Sequence, residues 1–167
     1  MPVKDPKEVF TMMLSDIRRG TEHSTKFYQE LSDIAQDQDV KDALNARVFV
    51  SDSILKRIDE CFRLLGTQPV KLEGKLQEVF IEDFRRELAA IESPEAKRLY
   101  ILIKANQLLH LRSGEYVALI AAADLTGHYG VGVLLETCLA DKMAFVERTR
   151  RLIRERVAQR IAAASAQ

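Results

Sequence analysis

Apolar residues recur every three or four positions along most of the chain, which is the spacing of amphipathic α-helices. The first stripe occupies residues 7–35, and the second ends at Gly66. Asp5, Pro6 and Glu8 form a capping box with proline at the first helical position, which begins the first helix. The stripes consist of Phe10, Met13, Ile17, Phe27, Leu31 and Ile34, and then of Val40, Leu44, Val48, Leu55, Ile58, Phe62 and Leu65. The pattern therefore predicts two long helices at the start of the chain.

Three more helices are predicted after Gly66. A short one falls within residues 76–91, and a long one follows over residues 95–125. This long helix is apolar almost all round, as expected of the most buried helix of a bundle. The last helix begins near Gly130, and we expect it to fray into the alanine-rich residues 162–167.

The lengths and connections of these helices predict an architecture. Four helices have about 27 residues or more, so each spans about 40 Å. Short loops join the first helix to the second and the fourth to the fifth, whereas the long connection between the second and the fourth contains the short helix. This is the order of ferritin-like proteins. We predict an all-α fold, a ferritin-like four-helix bundle with an additional short helix in the long connection, as one domain over residues 1–167.

The charge balance argues against a general attraction to nucleic acid. Lysine plus arginine and aspartate plus glutamate each number 25, so the formal net charge is zero. The last helix nevertheless carries a basic cluster of Arg148, Arg150, Arg151, Arg154, Arg156 and Arg160. A solvated helix face is the simpler interpretation, because aromatic residues that would stack bases are missing nearby. Nucleic-acid or membrane-surface binding by these arginines is therefore a third, weaker hypothesis.

Other features of the composition indicate a cytoplasmic protein. Cys61 and Cys138 lie far apart and form no Cys-x-x-Cys motif, so we expect reduced thiols in the core. No apolar run reaches the roughly 20 residues of a membrane span, and the first residues lack the apolar stretch of a signal peptide. We therefore expect no membrane span.

Ferritin-like bundles commonly hold two metal ions in their interior, using glutamates and two Glu-x-x-His pairs. None of the three histidines in this chain has a glutamate three positions before it. A nucleophile with a neighbouring base and an orienting acid cannot be assembled either. We predict no catalytic residue and no standard two-metal centre.

Three segments, residues 14–21, 57–59 and 62–66, carry patterns of a known family. Through them, and through helix order and length over the whole chain, the sequence resembles the YciE/YciF-type family of bacterial ferritin-like proteins. The family's Leu-x-Asp-Leu-Tyr-x-Ala-Glu pattern lies over residues 14–21, with Thr21 in place of the final acid. The resemblance implies the predicted fold and a role linked to stress responses.

The chain departs from the family where the resemblance implies metal ligands. The second-helix Glu-x-x-His of the family falls on Phe49 and Asp52. A Glu-His-Tyr-Glu run falls on residues 109–112, so His110 is kept while Arg112 stands where an acid is expected.

The last helix departs in the same direction. Three consecutive family acids fall on Ala140, Asp141 and Lys142, and only Asp141 is acidic. Two metal ions need several anionic ligands to offset their charge. We therefore expect a scaffold that has lost its metals, with no cofactor.

Arg112 would place a guanidinium where the metals would sit. A buried charge without a partner is too costly to keep. We predict a core ion pair between Arg112 and Asp141, with Asp52 or Glu22 as substitute partners. The alternative is that Arg112 extends to one end of the bundle or lies at an interface.

Two main hypotheses for function follow. The first is a non-enzymatic bundle, a homodimer, which acts through association with a protein of unknown identity or in the stress-linked role that the resemblance implies. The second is a di-metal protein that binds iron or manganese with non-standard ligands, for which the candidates are Glu22, His110, Glu115 and Asp141.

Overall fold

The structure is a computed structural model that describes the chain from residue 5 to residue 165, with side chains described for residues 5–158. Five α-helices follow one another, and this part of the chain contains no strand. They are α1 (Pro6–Ile34), α2 (Gln38–Leu65), α3 (Leu76–Ala89), α4 (Pro94–Leu125) and α5 (Tyr129–Ser165). The prediction of an all-α chain with four long helices and one short helix is confirmed.

The helix ends follow from local sequence signals. The Asp5 carboxylate accepts a hydrogen bond from the Glu8 amide at 2.8 Å and caps the start of α1, as predicted. Gly66 ends α2 with a φ of 61°, a left-handed conformation that glycine adopts without steric cost. One end differs from expectation, since α5 stays helical to Ser165 although fraying was expected from residue 162. Alanine has the highest helix propensity, which favours this extension, and the last two residues lie outside the described part of the chain.

The four long helices lie side by side in a ring, in which α1 and α5 each contact both α2 and α4. Residues 35–37 join α1 to α2, and residues 126–128 join α4 to α5. Such short loops make each pair antiparallel. In the long connection between α2 and α4, α3 packs across α1 and α4.

The helix α4 is not the most buried helix, although its composition suggested that it would be. Its inward residues are buried, but an apolar stripe on its outward side is exposed to solvent. The composition of α4 therefore reflects two apolar faces rather than complete burial. Over the described residues, no helix has a stretch that is long and apolar enough for a membrane crossing.

The apolar interior is divided into two clusters. One lies toward the α3 side and includes Phe27, Leu102 and Phe145. The other lies toward the α4–α5 loop and includes Ile58 and Leu135. Along each long helix the buried residues between the two clusters are polar, small or charged. This intervening level is where a functional site would lie.

Candidate functional site: a polar layer between two apolar clusters

A polar layer crosses the interior at mid-height of the four long helices. It consists of Gly20, Thr21 and Ser24 from α1, Arg47 and Ser51 from α2, Arg112 from α4 and Lys142 from α5. Its arginine and lysine side chains are the buried charged residues of the described part of the chain, which includes no buried aspartate or glutamate. The interior charge at this level is therefore positive.

The hydroxyl groups of the layer are satisfied within their own helices. The side chains of Thr21, Ser24 and Ser51 each donate to the backbone carbonyl four residues earlier, at 2.8–2.9 Å. This is the usual hydrogen bond of serine and threonine inside a helix. These hydroxyls do not neutralise the cations.

Arg112 is held by two acids from different helices. Its Nη1 donates to Asp16 Oδ2 at 2.9 Å, to the Asp16 carbonyl at 3.0 Å and to Glu115 Oε2 at 3.2 Å. The side chain is 8% exposed, so it does not extend to solvent at an end of the bundle. Burial, opposed by Arg112, raises the pKa of the Glu115 carboxyl.

The predicted pair between Arg112 and Asp141 is not formed. Asp141 accepts a hydrogen bond from Arg57 Nη1 at 2.5 Å instead. Arg112 on α4 reaches toward α1, whereas Asp141 on α5 faces α2, so the two side chains leave their helices toward different neighbours. Of the substitute partners, Asp52 is exposed and Glu22 accepts from Arg18 at 2.6 Å.

Gly20 makes room for the guanidinium of Arg112. A Cβ atom at this position would lie 2.5 Å from Arg112 Cζ and 2.7 Å from Gln77 Oε1. Gln77 of α3 also donates to the Gly20 carbonyl at 2.8 Å and to the Ser24 hydroxyl. Asp16 and Gly20 are four residues apart on α1, and this pairing of an acid with a small residue was the signal that sequence reasoning missed.

Arg47 is the most deeply buried cation and has a different environment. It is 1% exposed, and its Nε and Nη1 atoms are buried without a hydrogen-bond partner among the described residues. Its Cζ lies 5.6 Å from the ring centre of Tyr28 and 6.0 Å from that of Phe145. Aromatic faces attract a cation in this geometry.

The resemblance misplaced the inward face of α2 and so missed Arg47. It put Phe49 and Asp52 at ligand positions, but Phe49 is 75% exposed and Asp52 is also exposed. Arg47 and Ser51 face the interior instead. The signal was present in the three- and four-residue spacing of the buried residues Ala43, Leu44, Arg47, Ser51, Ile54 and Ile58.

Lys142 is the third buried cation. Its Nζ lies 5.1 Å from the ring centre of Tyr116, whose hydroxyl is buried and has no hydrogen-bond partner among the described residues. Burial first, and then the positive charges of Arg47 and Arg112, lower the pKa of Lys142 to about 7. Burial raises the pKa of the Tyr116 hydroxyl, so this tyrosine is neutral.

The two cysteines are buried and free. Burial is the main cause that raises the pKa of Cys61 to about 12 and that of Cys138 to about 11. Both are therefore protonated thiols at neutral pH, which are weak metal ligands and weak nucleophiles.

The residues proposed for a non-standard metal site do not meet. His110 is exposed, Glu22 is paired with Arg18, and Glu115 is paired with Arg112. Asp141, the fourth candidate, is paired on the α2 side. Nowhere in the described part of the chain do three histidine, cysteine, aspartate or glutamate side chains gather as a metal site would require.

The polar layer does not fit a pair of metal ions. A unit positive charge about 5 Å from a divalent cation costs about 7 kcal/mol at an effective dielectric constant of about 20. The layer is lined by Arg47, by Arg112, which pairs with two acids, and by Lys142, whose pKa is about 7. A two-metal centre is normally built from carboxylates, whereas this layer presents basic side chains, two of which have aromatic rings beside them.

Comparisons with known proteins give a family and a fold. The family model DUF892, described as a domain of unknown function, matches residues 5–162. The E. coli stress protein YciF superimposes with a TM-score of 0.88 at 19% identity, covering 93% of this chain and 99% of its own. YcfI from Rhodopseudomonas palustris, provisionally described as a structural protein, gives 0.84 at 20% identity, covering 89% and 94%. At these identities the likeness shows a shared fold. No curated protein matched the sequence.

Proposed function

The chain belongs to the DUF892 family, and from that premise we propose that it is a metal-free ferritin-like bundle that acts through protein association. It forms one domain and a homodimer, works without catalysis, and serves a stress-linked role in the cytoplasm. The observation that carries this proposal is the burial of Arg47, Arg112 and Lys142 in the polar layer.

The position of these cations supports a loss of metals. Arg112 and Lys142 stand where the resembling family carries acids, and Arg47 is buried on α2 at the same level. The two arginine charges occupy the interior permanently, because an arginine stays protonated even when it is buried, whereas Lys142 has a pKa of about 7. The name of the stress protein YciF supports the stress-linked role.

Metal analysis tests the loss of metals directly. The protein is produced in medium supplemented with iron and manganese, purified without chelators, and measured by plasma mass spectrometry. We expect far less than one metal ion per chain. About two ions per chain, the occupancy of a di-metal bundle, would contradict the proposal.

The exposed apolar stripe of α4 supports the homodimer. Its members, spaced three or four residues apart except where the polar Gln107 interrupts the stripe, are Leu99, Ile103, Leu111, Gly114, Ala118, Ala121 and Leu125. Leu125 is 88% exposed, and Gly114 has open space around its Cα. The small residues at the centre let a second α4 approach closely, and a net charge of zero brings no general repulsion between two copies.

Light scattering after size exclusion tests this association. The wild-type chain should have twice the 19.0 kDa mass of one copy. Ala118→Glu places a charge at the centre of the stripe and should yield monomers, while Ala140→Glu on an exposed part of α5 should remain dimeric. A monomeric wild type, or a dimeric Ala118→Glu, would refute the interface.

A further inference from the structure

An apolar groove opens at the end of the molecule where α1 and α3 end and α2 and α4 begin. Its volume is about 820 Å³, within the range of small-molecule pockets. Its floor includes the buried side chains of Val40, Phe84 and Leu102. Two of its apolar wall residues, Ile34 and Val157, are 47% and 50% exposed. The groove therefore offers an apolar lining that is open to solvent on one side.

One side of the groove is built around Asp37. This residue caps α2, since its Oδ1 accepts from the amides of Asp39 and Val40 at 3.1 and 3.4 Å. Its Oδ2 accepts from Arg98 of α4 and, at 2.8 Å, from Arg156 of α5. Two guanidinium groups thus share one oxygen of this carboxylate.

Lys97 is the basic group of the wall with unused hydrogen-bonding capacity, because the unpartnered Nε of Arg98 is closed off from solvent. The Nε of Arg98 is buried without a hydrogen-bond partner, although the residue pairs with Asp37 through its Nη1. The neighbouring Lys97 forms no ion pair among residues 5–158. Among the lining residues that the structure describes, Arg85, Lys97, Arg98 and Arg156 outnumber the acids Glu30, Asp37 and Glu95 by one.

We propose that this groove binds a free fatty acid, with its alkyl chain over Val40, Phe84 and Leu102 and its carboxylate at Lys97. An unbranched alkyl chain matches the apolar floor, and burial of its methylene groups supplies most of the affinity. A single negative charge matches the single surplus positive charge of the lining. Hydrogen bonds between cationic donors and a carboxylate are stronger than those between neutral groups, so the acid is preferred over an alcohol of equal length.

Calorimetric titration of the full chain with three twelve-carbon probes tests the proposal. Dodecanoate should bind saturably with one molecule per chain. Dodecanol should bind at least tenfold more weakly, and dodecylammonium should not bind. Lys97→Met should weaken dodecanoate binding about fivefold, whereas Lys56→Met, at an exposed position on α2, should leave it unchanged.

A groove-filling variant shows where the probe binds. Ala89→Trp adds a large side chain at an exposed lining position and should abolish dodecanoate binding, whereas Ala140→Trp on α5 should bind normally. Thermal melting checks that both variants fold. The proposal is wrong if dodecanoate does not bind, if dodecanol binds equally well, or if Ala89→Trp binds like wild type. If Ala89→Trp alters the dimer mass and no probe binds, the groove is an interface between copies instead.

Discussion

Arg112 and Arg47 are both buried at the same level of the molecule, but the structure accommodates their charges in different ways. Arg112 faces two carboxylates, Asp16 and Glu115, and a space that Gly20 leaves open. Arg47, with Lys142 on the neighbouring helix, has tyrosine and phenylalanine rings instead of acids. One half of the polar layer is an ion-pair network, and the other half carries charge beside aromatic rings, without an ion pair among the described residues. The stability of the two halves should therefore respond in opposite directions when a charge is removed.

The largest effect is expected at Asp16. Asp16→Ala removes the main acid of Arg112, and breaking a buried ion pair from one side leaves an uncompensated charge. We expect the free energy of unfolding to fall by about 3 kcal/mol. The loss is smaller than it would be if Arg112 had no acid at all, because Glu115 remains beside it. Urea unfolding measures it, with Asp42→Ala at an exposed position as the control, for which we expect a change below about 0.5 kcal/mol. Equal losses in the two variants would mean that Arg112 does not depend on Asp16.

The next effect is steric. Gly20→Ala places a methyl group against the held side chains of Arg112 and Gln77 and should cost about 2 kcal/mol. Gly130→Ala at an exposed position of α5 is the matched control, because a Cβ atom there would make only an ordinary contact, at 3.5 Å, with Leu64 Cδ1, and alanine is the better helix former. Unfolding of the two variants under the same conditions should give changes of opposite sign. Stabilisation by both would show that Gly20 is not required for the approach of Arg112.

The third effect is on pH dependence and concerns Lys142. Its folded pKa of about 7 lies below its ordinary value of 10.5, so between these values the unfolded chain binds more protons than the folded chain. The free energy of unfolding therefore rises with pH above 7, by about 1.5 kcal/mol between pH 7 and 8.5. Below pH 7 the full cost of burying the charged Lys142 is present.

Unfolding of wild type and Lys142→Met across this pH range measures the contribution. Lys142→Met should lack that rise and should be more stable than wild type at pH 7, because a buried charge without an acid is replaced by an apolar chain of similar length. The same pH dependence in both proteins would mean that Lys142 keeps its proton in the folded state.

The smallest effect is expected at the ion pair between Arg57 and Asp141, which forms in place of the predicted pair between Arg112 and Asp141. Arg57 and Asp141 are 30% and 35% exposed, and partly exposed ion pairs contribute little. Asp141→Ala should therefore cost less than about 1 kcal/mol, well below the cost of Asp16→Ala. If Asp141→Ala were the more damaging of the two, Asp141 and not Asp16 would be the acid that stabilises Arg112.

These contrasts also show what the sequence could predict. The bounds of α1 and α2 depend on signals within a few residues, such as Asp5 and Gly66, and they were predicted within a residue or two. The partner of Arg112 depends on how α4 and α5 are rotated about their axes, which spacing along one helix does not determine. Arg47 was missed because the inward face of α2 was assigned from the family resemblance. The spacing of the apolar residues around Arg47 would have placed it on that face.

The groove could not be predicted from the sequence for a related reason. Its lining comes from all five helices, and Arg98 and Arg156 meet at Asp37 only when the ends of three helices come together. The helix-capping role of Asp37 is visible in sequence, since an aspartate just before a helix is a common cap. The hydrogen bonds that its second oxygen accepts from Arg98 and Arg156 depend on the tertiary structure alone.

The central claim is that buried basic side chains occupy the interior in place of metal ions. Its most direct test is a crystal structure of protein crystallised with excess manganese and measured at the manganese absorption edge. We predict no anomalous peak inside the ring of long helices, and electron density for the Arg47 guanidinium beside the rings of Tyr28 and Phe145. An anomalous peak within the polar layer, with Arg47 or Lys142 turned away from it, would contradict the account.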